Sequence, residues 1–380
     1  MRLRFETGPS SAGACHRGEA SSSSRHGRST HRDKHLRYFT HMAKKVVVTG
    51  ANGHVGTALT KDLLEHGYNV LATVRDAEDP SRTDHLREIA NSLGAEERLS
   101  IRSADLMKHP PWADILSGID GLFAVAAVFR TKSSDPENEI VRPSTEGGIE
   151  LLRAAAEAGV PRVVYTSSVA AIGSLPGGRP KTEDDWNQDA TLPYTRAKTE
   201  AERLAWKVAE ETGIDLRVVN PTMVWGPHFA RHTPSTHVAR SLLKGGFPAA
   251  PKSSFAIVDV RDVATVHRLV FEEDSASGRH IVSGEHGKMF EIGRRFKAAV
   301  PHSRPPRFQV PWFVVYLWAT LDMMKGALGL KSTLNYRIVR SIKGGDSWVD
   351  TSKARGLGWE PISLEKTILD TAEWIEKKGL

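Results

Sequence analysis

The feature that most constrains this chain is a short apolar run followed by glycines at three-residue steps. Residues 45–49 are rich in valine and lead into Gly50, and Gly53 and Gly56 follow. Apolar residues with helical spacing then continue until Gly67. The pattern predicts a buried strand, a tight turn and a helix whose first N–H groups face a phosphate. A strand-turn-helix unit without a ligand fits the same glycines, so they do not decide the function alone.

Each glycine has its own expected role. Gly50 permits the turn, Gly53 lets a pyrophosphate approach the backbone, and Gly56 lets the helix pack close to the strand. The predicted contacts of this loop with a dinucleotide are Gly50, Asn52, Gly53, His54, Val55 and Gly56.

The net charge of +7 is confined to the N-terminal segment. Residues 1–45 contain ten Lys or Arg and three Asp or Glu, whereas the rest of the chain contains 42 of each. The body is therefore close to neutral, which removes the electrostatic case for a nucleic-acid partner. The single cysteine, Cys15, excludes an intramolecular disulfide and a cysteine-based metal site. We expect no bound metal.

Residues 1–41 are predicted to be a disordered basic leader, because they combine Arg, Ser, His and Gly with almost no apolar periodicity. Three explanations stay open: Met42 is the working start, the segment is a transit peptide, or it is a tail with its own partner. We favour the first. No run of 18 apolar residues occurs, so no spanning helix is expected. We expect a cytoplasmic protein that is a monomer or a homodimer.

Strands and helices alternate through the first half of the chain. The apolar pattern predicts further strands over residues 68–74, 99–102, 121–128, 162–166 and 216–219. This alternation is typical of an α/β fold with a Rossmann-type, doubly wound parallel sheet. In such folds the ligand lies at the carboxyl edge of the sheet.

The second predicted strand ends at an arginine. Folds of this type that prefer NAD usually place an acidic residue there, which bonds the ribose 2′-OH. Arg75 stands here with Arg82 nearby, and a guanidinium suits a 2′-phosphate. The sequence therefore predicts NADP, or NADPH when reduced, over NAD. A solvated surface arginine is the alternative.

Other strand ends supply further predicted contacts with the cofactor. Asp105 follows the third strand and either accepts from an adenine amino group, with Leu106 against the ring, or caps the next helix. Small residues at the end of the fourth strand let the cofactor lie against the backbone. The predicted contacts are Asp105, Leu106, Ala126, Ala127, Val128, Thr166 and Ser167.

Ser168, Tyr194 and Lys198 form the predicted catalytic set. Tyr194 and Lys198 are four residues apart at the start of a long predicted helix, so they share one face. A carbonyl that receives hydride needs a proton on its oxygen, which a tyrosine hydroxyl supplies. The lysine ammonium favours the phenolate by its charge and bonds the ribose, so Tyr194 and Lys198 are also predicted cofactor contacts. The serine hydroxyl orients the carbonyl.

Residues 49–56 (TGANGHVG) together with Tyr194-x-x-x-Lys198 resemble the extended short-chain dehydrogenase/reductase superfamily, also described as the NAD-dependent epimerase/dehydratase family. Further stretches resemble its dihydroflavonol reductase-like branch, which includes aldehyde and ketone reductases: residues 73–76 (TVRD), 135–139 (DPENE), 166–168 (TSS), 220–222 (NPT) and 258–264 (VDVRDVA). The resemblance covers residues 45–285. It implies NADPH-dependent reduction of a carbonyl compound, which we take to be an aldehyde or ketone. Hydroxysteroid- and flavonoid-like compounds are candidate substrates, but the loop before Tyr194 is shorter than in the plant flavonoid enzymes, so a flavonoid is not itself implied. It also implies that the nicotinamide is lined by Pro221, Thr222, Met223 and Val224.

The sequence departs from the family pattern in the helix after the fourth strand. An asparagine that is thought to hold a relay water is replaced by Glu146. Two alternatives to a reductase stay open. One is a nucleotide-sugar epimerase, for which Arg231, Arg240 and Lys244 are candidate diphosphate ligands, and the other is a non-catalytic NADP-binding regulator.

The expected domains are an NADP-binding domain and a smaller lobe. Residues 42–222, with a returning segment near 253–275, form the former, and residues 223–252 and 276–380 form a substrate-binding lobe. Asp262 is expected to cap a helix. The apolar segment 312–321 is interpreted as a substrate-cap helix in preference to a membrane foot.

Overall fold

The structure, a computed structural model, describes residues 43–127, 135–173, 179–330, 334–343 and 348–380. The predicted leader and Val128 lie outside these residues. The strands are β1 (Lys45–Thr49), β2 (Asn69–Val74), β3 (Leu99–Ser103), β4 (Gly121–Ala124), β5 (Arg162–Thr166), β6 (Asp215–Pro221), β7 (Met223–Trp225), β8 (Ala250–Pro251), β9 (Ser254–Asp259), β10 (Gly278–Val282), β11 (His286–Lys288) and β12 (Gln309–Val310). The helices are α1 (His54–Glu65), α2 (Pro80–Ser92), α3 (Trp112–Ile115), α4 (Arg142–Glu157), α5 (Val169–Ile172), α6 (Pro193–Thr212), α7 (Pro234–Lys244), α8 (Val260–Glu272), α9 (Met289–Ala299), α10 (Trp312–Ala327), α11 (Tyr336–Lys343), α12 (Ser352–Arg355) and α13 (Leu364–Lys377).

Seven parallel strands form the main sheet, in the order β10-β6-β5-β4-β1-β2-β3. The chain builds outward from β1 in one direction and then crosses to β4 and builds in the other. The order therefore reverses between β1 and β4, where a crevice opens at the carboxyl ends of the strands. The predicted fold class, a Rossmann-type doubly wound α/β fold, is confirmed.

Helices cover both faces of this sheet. On one face α1 and α8 bury Leu59, Leu63 and Val266 against it, and on the other α4 and α6 bury Leu151 and Val208. The strands between these two cores are buried on both sides, as their continuous apolar runs predict for a parallel sheet.

The fourth strand is shorter than predicted, because it ends at Ala124 and not at residue 128. The hydroxyl of Thr49 accepts hydrogen bonds from the N–H groups of Val125 at 3.0 Å and Ala126 at 3.1 Å. These bonds take the place of hydrogen bonds to a neighbouring strand and turn the chain out of the sheet. The segment after Ala124 therefore crosses above Gly50.

Strand β10, the seventh strand of the main sheet, was not predicted. Gly278–Val282 pairs with β6 in the main sheet, so this part of the expected lobe belongs to the sheet. Its two central residues, Arg279 and His280, are polar by type but buried, which hides the strand from an apolar pattern. Burial lowers the pKa of His280 to about 4, so this side chain is neutral and fits the interior.

The C-terminal part has its own core, where α7, α9 and α13 surround Trp225, Phe229 and Phe296. Within the described residues, no helix combines the length and the apolar character that crossing a membrane requires. The expectation that Asp262 caps a helix is wrong. Asp259 caps α8 by accepting from Arg261 N, whereas Asp262 accepts from Trp359 Nε1 at 3.1 Å and ties the C-terminal segment to α8.

Candidate active site

A cleft of about 390 Å³ opens at the carboxyl ends of the strands, around the point where their order reverses. It brings together most of the residues that the sequence predicts. Those that line it are Gly50, Asn52, Gly53, His54, Val55, Gly56, Arg75, Asp105, Leu106, Ala126, Ala127, Thr166, Ser167, Ser168, Tyr194, Lys198, Pro221, Thr222 and Val224.

Met223 is the described residue of the predicted set that does not line the cleft. It lies in β7, where successive side chains point to opposite faces. Thr222 and Val224 therefore face the cleft, while Met223 packs on the C-terminal core.

The glycine loop leaves no room for side chains. Gly50 has a φ of +63°, and a Cβ there would lie 2.9 Å from the Cα of Ala126. A Cβ on Gly56 would lie 2.3 Å from the carbonyl oxygen of Gly50. No side chain caps α1 at Gly53, so the first N–H groups of the helix remain for an anion in the cleft.

His54 fixes this loop to the C-terminal part of the chain. Its Nε2 lies 2.9 Å from the carbonyl oxygen of Pro227, and its ring packs edge-on against Phe229. Burial lowers the pKa of His54 to about 4, so the ring is neutral and Nε2–H is the donor. The side chain thus has a structural partner, and the backbone of residue 54 is what the loop offers to a ligand.

Two arginines stand at the end of the cleft beside β2. Arg75 is exposed and has no ion-pair partner among the described residues, whereas Arg82 pairs with Asp79 at 2.7 Å. On the neighbouring strand end, Asp105 accepts from the backbone N–H of Met107 at 3.2 Å, which closes a local turn.

Ser168, Tyr194 and Lys198 meet at the opposite end. Ser168 caps α5 and is hydrogen-bonded to Tyr194, which lies in the first turn of α6. The Nζ of Lys198 donates to the carbonyl oxygen of Thr166 at 3.2 Å. The hydroxyl of Thr166 is engaged by His267 Nε2 at 2.7 Å, so Thr166 presents its carbonyl to the lysine.

The electrostatics of the tyrosine differ from the expectation. Burial raises the pKa of Tyr194 to about 12, and its hydrogen bond with Ser168 only partly opposes this rise. Burial also lowers the pKa of Lys198 to about 8, although Glu202 favours the charged ammonium. Burial thus dominates the pKa of Tyr194 in this structure, and stabilisation of the phenolate by Lys198 stays a prediction.

A buried ion pair lies beneath this end of the cleft. The carboxylate of Glu202, one turn beyond Lys198 on α6, accepts from Arg279 Nε at 2.6 Å, from Ser167 Oγ at 2.5 Å and from Asn220 Nδ2 at 2.9 Å. Both charged side chains are almost completely buried. The pair joins α6 to the strand ends that carry the predicted catalytic residues.

Arg279 extends this network towards the loop before α6. It donates to the carbonyl oxygens of Glu183 at 2.8 Å and Asp185 at 2.6 Å, and its guanidinium lies 4.1 Å from the ring centre of Trp186. Neither Glu202 nor Arg279 was predicted, since charged residues 77 positions apart carry no local signal of burial.

A second group comes from the segment before α7, of which only Arg231 was named from the sequence, as a candidate diphosphate ligand. Ala230, Arg231, His232, Thr233 and Ser235 line the cleft. Thr233 caps α7 and Pro234 opens it, a sequence that is typical of a helix start. That signal predicts a helix N-terminus at the sheet edge, and it is the one feature that identifies this side of the cleft from sequence.

Glu146, the departure from the family pattern, lies on the surface. Its carboxylate pairs with Arg142 Nε at 2.8 Å, and it does not line the cleft. In the described part of the chain, no group of three or more His, Cys, Asp or Glu side chains is placed to hold a metal ion.

Residues 46–285 match the NAD dependent epimerase/dehydratase family. The chain belongs to this family. Among curated proteins, a cinnamoyl-CoA reductase, CAD2 of Medicago truncatula, is 32% identical over 89% of this chain and 98% of its own length. A dihydroflavonol 4-reductase of Zea mays is 35% identical over 70% of this chain and 76% of its own length. The family member described here is thus in the extended short-chain dehydrogenase/reductase branch.

A solved structure agrees with this assignment. Gre2 of Candida albicans in complex with NADPH matches 89% of this chain and all of its own chain, with a TM-score of 0.68 and 25% identity.

Proposed function

We propose that this epimerase/dehydratase family member is an NADPH-dependent reductase that converts an aldehyde or ketone to an alcohol. The observation that carries the proposal is the contact of Tyr194 with Ser168, with Lys198 one helical turn away, in the same cleft that the glycine loop lines. The relatives, which are named as reductases, support a net reduction over an epimerisation.

The cleft fits NADPH on three observations. Side-chain-free glycines leave space for a pyrophosphate, the uncapped N-terminus of α1 faces that space, and Arg75 stands where a 2′-phosphate would lie. When bound, NADPH supplies the hydride.

Tyr194 donates the proton. With a pKa of about 12, its hydroxyl is fully protonated near neutral pH, as a proton donor to a carbonyl oxygen must be. Ser168, hydrogen-bonded to this hydroxyl, is placed to bond the same oxygen and to stabilise the charge that develops on it.

Lys198 stabilises the phenolate that remains on Tyr194 after the proton has been transferred. With a pKa of about 8, it is mostly an ammonium at neutral pH, and its positive charge lowers the energy of the Tyr194 phenolate. The carbonyl oxygen of Thr166 fixes the position of Nζ.

The substrate enters from the C-terminal side. We propose that residues 223–252 and the chain after β10 form the substrate-binding lobe, with Ala230–Ser235 as its wall in the cleft. Small carbonyl compounds, not nucleic acids, are the partners of this site, and we place the enzyme in the cytoplasm as a monomer or homodimer.

A panel of aliphatic and aromatic aldehydes and ketones tests the proposal with the full chain. We expect at least one to be reduced, with one NADPH oxidised for each alcohol formed, as followed by absorbance and product analysis. Failure of the whole panel, combined with epimerisation of a nucleotide sugar without net loss of NADPH, would overturn it.

The choice of cofactor rests on Arg75 and has its own test. We expect Arg75→Ser to weaken NADPH binding about tenfold, since one charge-assisted contact is lost, and to leave NADH binding unchanged. Arg87→Ser, at an exposed arginine of α2 that does not line the cleft, is the matched control. Equal weakening of both cofactors, or of neither, contradicts the assignment of Arg75.

A further inference from the structure

Helix α10 exposes an apolar face to solvent. Five large apolar side chains recur every three or four residues along it, and each is between 55 and 79% exposed. This spacing places them on one face of the helix, which we call the apolar stripe: Phe313, Leu317, Leu321, Met324 and Leu328. Monomeric soluble proteins rarely leave a continuous apolar patch of this kind uncovered, so the stripe indicates a contact surface.

Two polar contacts help to hold α10 in place. Asp322 is buried and accepts from the backbone N–H of Leu334 at 2.7 Å, and Thr320 Oγ1 lies 2.7 Å from the hydroxyl of Tyr336 at the start of α11. Ala319, on the far side of the helix from the stripe, is also buried, so α10 is apolar around most of its circumference and the stripe is its most exposed part.

The stripe is not part of the cleft. Among the described residues, none from α10 or α11 lines it. The interpretation of this segment as a substrate-cap helix therefore has no support from the geometry, and the membrane foot that the sequence also suggested becomes the stronger hypothesis.

The charge around the stripe is one-sided. From residue 312 to residue 343 the only acidic residue is Asp322, which is buried, whereas the basic residues are Lys325, Lys331, Arg337, Arg340 and Lys343. Of these, Lys325, Arg340 and Lys343 are exposed; Lys325 lies 3.5 Å from Asp322, so Arg340 and Lys343 are the exposed cations that no acidic residue of this segment neutralises. Since the body of the chain is close to neutral, this cluster is a local feature that an anionic partner complements.

A second copy of the chain fits this surface poorly. A two-fold contact through the stripe would place the same patch on both sides, so two copies of the same basic cluster would be brought into one interface. No exposed acidic residue lies between residues 312 and 343 to compensate them.

We infer that α10 and α11 dock on the surface of a bilayer that contains anionic phospholipid. The 16 residues of α10 are about 24 Å long and too short to span, so the helix lies in the interface with its stripe towards the acyl chains. The exposed cations contact the headgroups at the same time. This docking is independent of the proposed reductase chemistry.

Flotation of the full chain with vesicles tests the inference. Phosphatidylcholine vesicles with one quarter phosphatidylglycerol are compared with pure phosphatidylcholine vesicles, and we expect clear binding to the former and weak binding to the latter. We expect the double variant Leu317→Glu/Leu321→Glu to bind at least about tenfold more weakly, because two leucine side chains that would enter the acyl region are replaced by carboxylates. Both positions are exposed in the folded chain, so NADPH binding should persist and report an intact fold.

The control is Leu369→Glu, at a comparably exposed leucine of α13 outside the stripe, which should bind vesicles like the wild type. Undiminished binding by the double variant would assign the affinity to the basic leader and overturn the inference. Absence of binding to either vesicle would also overturn it, as would a dimer in solution that the double variant splits.

Discussion

The catalytic end of the cleft buries polar side chains, whereas the apolar stripe exposes apolar side chains to solvent. At the catalytic end of the cleft and beneath it, charged side chains are buried and paired, with Glu202 against Arg279 and Lys198 against a backbone carbonyl. On α10, large apolar side chains are exposed without cover, while Asp322 is inside. Each arrangement costs free energy in the isolated chain, because buried charges lose hydration and exposed apolar groups order water.

The difference separates a site of chemistry from a site of contact. Buried polar groups are positioned by fixed partners, and their surroundings shift their pKa values, as proton transfer requires. Exposed apolar groups have no fixed partner in the chain, and they become buried only when another surface contacts them. Variants should therefore change activity and stability at the cleft and leave both nearly unchanged at the stripe.

The largest expected effect is on the proton donor. Tyr194→Phe should lower kcat about 100- to 10,000-fold, since it removes the transferred proton and little volume. Steady-state NADPH oxidation with a reduced carbonyl compound measures it. Tyr68→Phe, which removes a buried hydroxyl bound to Glu272 away from the cleft, should keep its kcat. Comparable rates for wild type and Tyr194→Phe would remove Tyr194 from the mechanism.

The next effect concerns the buried ion pair. Arg279→Met leaves the carboxylate of Glu202 buried without its cation, so the free energy of unfolding should fall by about 3–5 kcal/mol. Chemical denaturation measures this loss. Arg153→Met breaks the exposed pair with Glu211 and should cost about 1 kcal/mol or less. Similar losses in the two variants would show that the pair beneath the cleft contributes no more to the free energy of unfolding than an exposed pair does.

A smaller effect is the pH dependence of activity. If the ammonium of Lys198 is required, kcat/KM should fall as pH rises through about 8, and be about tenfold lower at pH 9 than at pH 7. Loss of fold cannot produce this decrease through Lys198. Its pKa is lower in the folded than in the unfolded chain, so its contribution to stability increases between about pH 8 and 10.5. A kcat/KM that stays constant up to pH 10 would contradict the role of the ammonium.

The smallest effect is expected at the stripe. Leu317→Ala should change the free energy of unfolding by about 0.5 kcal/mol or less, because the side chain is 59% exposed. Leu63→Ala, in the core between α1 and the sheet, should cost about 2–5 kcal/mol. Equal losses at the two leucines in denaturation experiments would mean that the stripe is covered within the chain.

Local patterns predicted what local physics determines. The glycine loop, the strand over residues 162–166 and the four-residue spacing of Tyr194 and Lys198 follow from backbone sterics and periodicity, and each is present in the structure. The residues of the cleft were found because parallel strands bring their carboxyl ends to one edge.

The missed features depend on distant partners. β10 is hidden because Arg279 and His280 look like surface residues until Glu202 and the neighbouring strand bury them. The rise in the pKa of Tyr194 was not predicted, because the extent of its burial is set by packing of the whole cleft. Such effects belong to tertiary structure, and a single sequence carries no direct signal of them.

Transfer of an isotope label tests net carbonyl reduction most directly. NADPH that carries deuterium at the transferred position is incubated with the full chain and a carbonyl compound identified in the panel, and the alcohol is examined by mass spectrometry and NMR. We predict one deuterium at the carbinol carbon for each NADPH consumed, and at least about 100-fold less labelled alcohol with Tyr194→Phe over the same time. Alcohol without deuterium, or an epimerised substrate with no net consumption of NADPH, would contradict the proposed function.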